Sequence, residues 1–221
     1  MRFSSASGWG SPASPSGSRF GPKRGVSFLP DAVFEPAARD FTPLLGPLQQ
    51  AVAAAGSNPV ILIDGPSGAG KSTLADALVE HWPGTVRPQL VRMDDIYPGW
   101  DGLDAAVRHL QRHVLQPRHD GLPAAWQRYD WSDNEAAEWH PLDAARPLIV
   151  EGCGTLAAAH EPLGQVRVWL AADDALRKRR ALDRDGEAFR AHWDQWQQEW
   201  ASYLERESPE GRATVRLRAG T

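Results

Sequence analysis

The chain has 221 residues, 42% of them hydrophobic, enough for one core-forming domain and a tail. A formal net charge of -4 argues against a nucleic-acid binder, which carries a basic surplus. No apolar run approaches the roughly 18 residues that span a bilayer, and the single cysteine, Cys153, excludes an internal disulfide and fits a reducing cytoplasmic setting.

Residues 1–28 are rich in Ser, Gly and Pro, too poor in apolar surface to offset their ordering entropy, and read as a disordered tail. Arg2, Arg19, Lys23 and Arg24 with no acid before Asp31 echo a transit peptide, but an amphipathic period is missing. Residues 29–221 then read as one domain. A helix is expected over 42–55, stopped by Gly56, and a strand at 60–63, where Val-Ile-Leu-Ile suits burial on both faces. A helix follows from Lys71 to before Pro83, a strand at 89–93, and a helix over 103–115 that ends before Pro117. Residues 122–146 look irregular, with a small hairpin around Tyr129 and Trp139. Strands at 148–150 and 166–170, helices at 174–184 and 187–206, and a last strand at 214–217 complete an α/β alternation.

Between the first strand and the second helix lies Gly65-Pro66-Ser67-Gly68-Ala69-Gly70-Lys71-Ser72-Thr73. It meets every fixed position of G-x-x-x-x-G-K-[ST], a match with about a one in a hundred chance of arising at random in such a chain. Glycines let the backbone curl its N–H groups around a phosphate, and the helix that starts there adds its positive dipole end. Lys71 supplies charge to the outer phosphates, and the Ser72 hydroxyl suits Mg²⁺. A ligand-free turn would not need a lysine followed by a hydroxyl.

Ligands in open parallel sheets bind beyond the carboxyl ends of the strands. Two carboxylates sit there: Asp94, in Met93-Asp94-Asp95-Ile96-Tyr97, and Glu151, in Glu151-Gly152-Cys153-Gly154. Glu151 suits Mg²⁺, while Asp94 suits a substrate hydroxyl or the metal. Alone, an Asp-Asp pair after a strand is more often a turn; its place opposite the phosphate loop reverses that preference. Cys153 reads as a small residue in a tight bend. Arg177, Arg180 and Arg184 share one helical face at spacings of three and four, either a solvated basic face or a lid that clamps phosphates. Phe189, Trp193, Trp196, Trp200 and Tyr203 form one stripe, read as packing, with a dimer face and hence a homo-oligomer as the alternative.

From Pro59 to Gly186 these elements resemble the uridine kinase and phosphoribulokinase branch of P-loop kinases. Asp94-Asp95-Ile96-Tyr97 stands where that branch has D-x-[FY]-Y, Trp100-Asp101 where it has F-D-x-P, and Tyr129-Asp130-Trp131 where it has Y-D-[FW]. Asn134 occupies the place of a common histidine, and Arg180 with Arg184-Asp185 matches the arginine-rich lid. The resemblance implies a three-layer fold with a mostly parallel five-stranded sheet in the order 2-3-1-4-5, strands counted along the chain. It implies Mg-ATP as cofactor and Asp94 as catalytic base, with Lys71, Arg180 and Arg184 stabilising the transferring group and Arg177 assisting. Tyr97, Asp101, Tyr129 and Asn134 would line an acceptor site for a nucleoside such as uridine or cytidine. A non-nucleoside acceptor, or a regulatory ATPase with no acceptor, are the alternatives. The partners expected are ATP and a small molecule, without nucleic acid or membrane.

Overall fold

Short β-branched runs separated by helical segments give, in chain order, β1 (Ala32–Phe34), β2 (Val60–Asp64), β3 (Gln89–Arg92), β4 (Ala124–Asp130), β5 (Glu135–Leu142), β6 (Leu148–Glu151), β7 (Val166–Ala171) and β8 (Val215–Ala219). The helices are α1 (Thr42–Ala54), α2 (Lys71–Glu80), α3 (Leu103–His109), α4 (Gln116–His119) and α5 (Asp174–Glu207). The structure, a computed structural model, describes residues 32–34 and 42–219; the expected tail at 1–28 lies outside the described residues.

The main sheet is parallel throughout, in the order β1-β8-β7-β2-β6-β3. Its last five strands are the five expected ones, in the expected order. β1 adds a sixth at the β8 edge; three residues are too few to show a period, so only the neighbouring strand reveals it. β2 is central and buried at every position. Alternation along the strands sends Ile61, Ile63 and Ile149 to one face, against Leu48 and Val52 of α1 and Leu74 and Leu78 of α2. Val60, Leu62, Leu148 and Val150 turn to the other, against Leu103 of α3 and the aromatic stripe of α5. These two faces make the three layers.

Two segments depart from expectation. The helix from Leu103 does not stop before Pro117. It passes through a π-helical stretch, Leu110–Leu115, into α4, which contains Pro117. The small hairpin expected around Tyr129 and Trp139 is present but longer than expected: β4 and β5 form a full antiparallel ribbon, with a bulge between Gln127 and Tyr129, through most of a segment expected to be irregular. The two final helices appear as α5, interrupted at Gly186 (φ 64°, ψ -145°). Asp173 caps it, its carboxylate accepting from the N–H groups of Ala175 and Leu176. The break folds the second half back on the first: the Arg177 guanidinium donates to Gln197 Oε1 at 2.9 Å. Phe189, Trp193, Trp196, Trp200 and Tyr203 are each at most 6% exposed, so the stripe packs within this chain and is not an open dimer face.

Candidate active site

β2 delivers the phosphate loop to the edge of the core. Gly65 (φ 149°) turns so close to β7 that a Cβ would lie 2.2 Å from the Leu170 carbonyl oxygen. Gly70 (φ 100°) takes the left-handed conformation and caps α2. Lys71 Nζ donates to the carbonyls of Gly65 (2.8 Å) and Pro66 (3.1 Å) and lies 3.6 Å from Cys153 Sγ. Burial opposes its charge, but acidic neighbours, Glu151, Asp94 and Asp64 among them, outweigh burial and raise its pKa. Burial also pushes the Cys153 thiol up, countered by the charge of Lys71.

Beneath the loop sits Asp64, a fully buried carboxylate that the sequence reading passed over. It accepts from the N–H groups of Gly65 (2.7 Å), Gly154 (3.2 Å) and Leu156 (2.8 Å) and from the Tyr203 hydroxyl (2.7 Å). One side chain thereby ties the phosphate loop, the segment after β6 and the second half of α5. Burial raises its pKa, and these donors pull it back. Its only prior signal is an acid at the end of an apolar run.

Glu151 ends β6 at 3% exposure. Burial raises its pKa, countered by the charge of Lys71. Arg92 Nη1 pairs with it at 3.1 Å while Nη2 holds Asp76 of α2 at 2.6 Å, a positioning contact also missed in the sequence. Asp94 follows β3 in a short 3₁₀ turn with its carboxylate exposed. Ser67, Gly68, Gly70, Lys71, Ser72 and Thr73 line a narrow cleft of about 60 Å³, closed opposite by Asp94, Glu151, Cys153 and Arg184. Pro66 and Ala69 are buried in the loop behind it.

A larger chamber of about 420 Å³ opens beside the cleft and shares Ser67, Ser72, Asp94 and Arg184 with it. Tyr97, Trp100, Trp131, Asp185, Phe189 and Trp196 make the rest of its wall. Asp94, Tyr97 and Arg184 are therefore brought to one wall. The other residues expected on the acceptor side lie outside this wall. Asp101 is exposed and absent from the wall, where its neighbour Trp100 stands instead. Tyr129 donates its hydroxyl to Asn134 Oδ1 at 2.7 Å, and Asn134 (φ 61°) closes the ribbon turn; Trp131 reaches the chamber in their place. A four-residue ribbon turn needs a left-handed residue, which asparagine tolerates.

The arginine row also divides. Arg184 stands at the junction of cleft and chamber, held by both oxygens of Asp185 at 2.7 Å, its charge also favoured by Asp94 and Glu151. Arg177 points away: it is buried, pairs with Asp174 at 2.6 Å and lies over the Trp193 ring at 5.6 Å. Arg180 lines neither cavity; partial burial and the charge of Arg179 lower its pKa. The back-folding at Gly186 explains this, because it covers Arg177 with Trp193 and Gln197. Phe189 and Trp196 were legible as a packing stripe, but not as chamber walls. Trp196 Nε1 donates to Ser67 Oγ at 2.8 Å, joining that stripe to the phosphate loop.

The donor set suits a nucleotide with Mg²⁺. The cleft presents a lysine and loop amides for phosphate, and a hydroxyl beside carboxylates for a hard cation that keeps water and phosphate oxygens as its other ligands. Among the described residues no group of three or more His, Cys, Asp or Glu forms a metal cage, and no helix is long and apolar enough to cross a membrane.

A family model described as an AAA domain matches residues 61–192. No curated protein matches the sequence. Among solved structures, a possible uridine kinase from Bacillus stearothermophilus superposes with a TM-score of 0.56 at 19% identity, covering 77% of this chain and 95% of its own. A protein from Silicibacter sp. TM1040, provisionally assigned as a fructose transport system kinase, gives a TM-score of 0.45 at 17% identity, covering 77% and 96%. At such identities the first likeness speaks for the fold alone, the three-layer α/β fold of P-loop NTPases.

Proposed function

Because the chain belongs to the AAA-domain family, and carries a P-loop NTPase fold, we propose that it is an ATP-dependent phosphotransferase acting on a hydroxyl of a small acceptor. One observation carries this reading: Asp94 lines both the phosphate cleft and the chamber, so a carboxylate stands where a phosphate donor and an alcohol would meet. A nucleotide-driven switch would need only the cleft.

The loop amides and Lys71 bind and orient the β- and γ-phosphates of ATP. Mg²⁺, when bound, neutralises charge on these phosphates; Ser72, Glu151 and Asp94 are the residues that would hold it. Asp94 accepts the proton of the acceptor hydroxyl. The hydroxyl oxygen forms a bond to the γ-phosphorus as the bond to the β,γ-bridging oxygen breaks, and ADP leaves with that electron pair. Arg184 stabilises charge spread over the transferring group. Arg177 and Arg180 have no part in this scheme. The sequence resemblance suggests a nucleoside such as uridine or cytidine for the acceptor.

ADP release by the full chain with Mg-ATP, alone and with a panel of alcohols, tests the reading. An alcohol that raises the rate a hundredfold or more over background supports it. Hydrolysis that ignores every alcohol would point to a switch instead.

A further inference from the structure

Cleft and chamber meet at four polar residues, Ser67, Ser72, Asp94 and Arg184. Beyond that junction the chamber wall is Tyr97, Trp100, Trp131, Asp185, Phe189 and Trp196, five rings and one acid. The hydrogen-bond donors of that wall are largely committed to the protein. The Tyr97 hydroxyl donates to the Cys153 carbonyl at 2.8 Å, Trp131 Nε1 to the Asp94 carbonyl at 2.9 Å, and Trp196 Nε1 to Ser67 Oγ at 2.8 Å. Both oxygens of Asp185 hold Arg184. Phe189 has none, so the Trp100 indole is at most one donor for a ligand's edge. The rings are pre-arranged: Trp100 stacks on Phe189 (5.3 Å, 12°) and on His192 (4.8 Å, 11°), and Trp131 lies tilted against it at 4.9 Å and 55°.

Resting on the phosphotransfer reading, we propose that the acceptor is an alcohol with an apolar aromatic body, held by ring stacking, and not a nucleoside. A nucleobase entering this wall would find at most one donor, the Trp100 indole, for its carbonyl groups, at roughly tenfold in affinity for each unmet group. An apolar ring loses nothing there and gains burial and stacking against rings already fixed in place. The chamber, about 420 Å³, suits one small bicyclic molecule. Its hydroxymethyl arm would reach the junction, pass its proton to Asp94 and bond to the γ-phosphorus as ADP departs.

The test uses the full chain with 2-naphthalenemethanol and benzyl alcohol as apolar probes and uridine and cytidine as polar-edged ones. Binding is read by quenching of tryptophan fluorescence, turnover by ADP release, and nucleotide binding separately by calorimetry. The naphthyl alcohol should bind at least tenfold more tightly than uridine and stimulate ADP release more. Trp100→Ala should weaken naphthyl binding tenfold or more, and Trp100→Phe should restore most of it. Trp131→Leu, on the exposed ribbon, gives a second variant should the first fail to fold. Tighter binding or faster turnover with uridine or cytidine would overturn the apolar acceptor while leaving phosphotransfer intact. ATP binding with neither alcohol class binding would also overturn it. Failure to bind ATP at all would overturn the phosphotransfer reading itself.

Discussion

The phosphate cleft and the acceptor chamber share four side chains, yet they are assembled on opposite plans. The cleft is mostly one contiguous stretch, Gly65 to Thr73, whose backbone amides and single lysine need only a strand before them and a helix after. The chamber draws its rings from three separate places: Tyr97 and Trp100 after β3, Trp131 in the β4–β5 turn, and Phe189 and Trp196 beyond the break in α5. A site of local backbone tolerates little variation in sequence. A site of gathered side chains can change its ligand without disturbing the loop beside it. The same nucleotide chemistry can thus serve different acceptors.

The sharpest way to break this comparison lies at the junction. Asp94→Asn keeps the shape and removes the proton acceptor, so kcat should fall by about 10²- to 10⁴-fold while ATP affinity stays within a few-fold. Equal losses in ATP binding, measured by calorimetry, would make Asp94 part of the cleft alone. Lys71→Ala acts on the cleft side. It should weaken ATP binding by at least tenfold and leave the quenching of tryptophan fluorescence by the preferred alcohol unchanged, if the two cavities bind independently.

The buried tie between them is Tyr203, whose hydroxyl serves Asp64 under the phosphate loop while its helix carries Phe189 and Trp196. Tyr203→Phe leaves a buried carboxylate one donor short and should cost about 1–3 kcal/mol, read as a lower urea midpoint at unchanged m-value. A midpoint unchanged by the substitution would show that the loop does not depend on the chamber helix.

The smallest effect expected is on the chamber's outer support. His109 packs on Trp139 of the ribbon and accepts the Gln127 N–H through Nε2 at 3.1 Å. Burial, helped by neighbouring His113, holds its pKa down to about 4 from 6.5. The unfolded chain therefore binds the proton first. The stability contributed by His109 is complete above about pH 6.5 and is lost as pH falls toward 4. Full burial would make this about 3 kcal/mol, and partial exposure to solvent reduces it to about 1 kcal/mol. His109→Gln should flatten the decline in melting temperature between pH 6.5 and 4; an unaltered slope would assign that decline to other groups.

Much of this was readable before any coordinates. Val60-Ile61-Leu62-Ile63 is unmistakable as a doubly covered strand, and the glycine-lysine-serine spacing announces the turn that follows. Gly186 was legible as the gap between two helices. Asp64 and Arg92 were not, because a lone acid after an apolar run, or a lone arginine in an edge strand, acquires meaning only from partners that arrive 59 to 139 residues away in the chain. Tyr129 and Asn134 matched a motif, but their hydroxyl and amide satisfy each other in the ribbon turn. Motif spacing does not record which side chain a turn spends on itself.

By itself, the order of residues determined the parallel α/β alternation, the phosphate loop and the pair of acids at strand ends, since each depends on chain neighbours and short-range backbone preferences. Tertiary structure alone decided which arginine faces the site, which rings wall the chamber, and that most of their hydrogen-bond donors are taken up by the protein. Those outcomes depend on how α5 folds back at Gly186 and where the β4–β5 ribbon lands, contacts set by packing across the fold and not by sequence spacing.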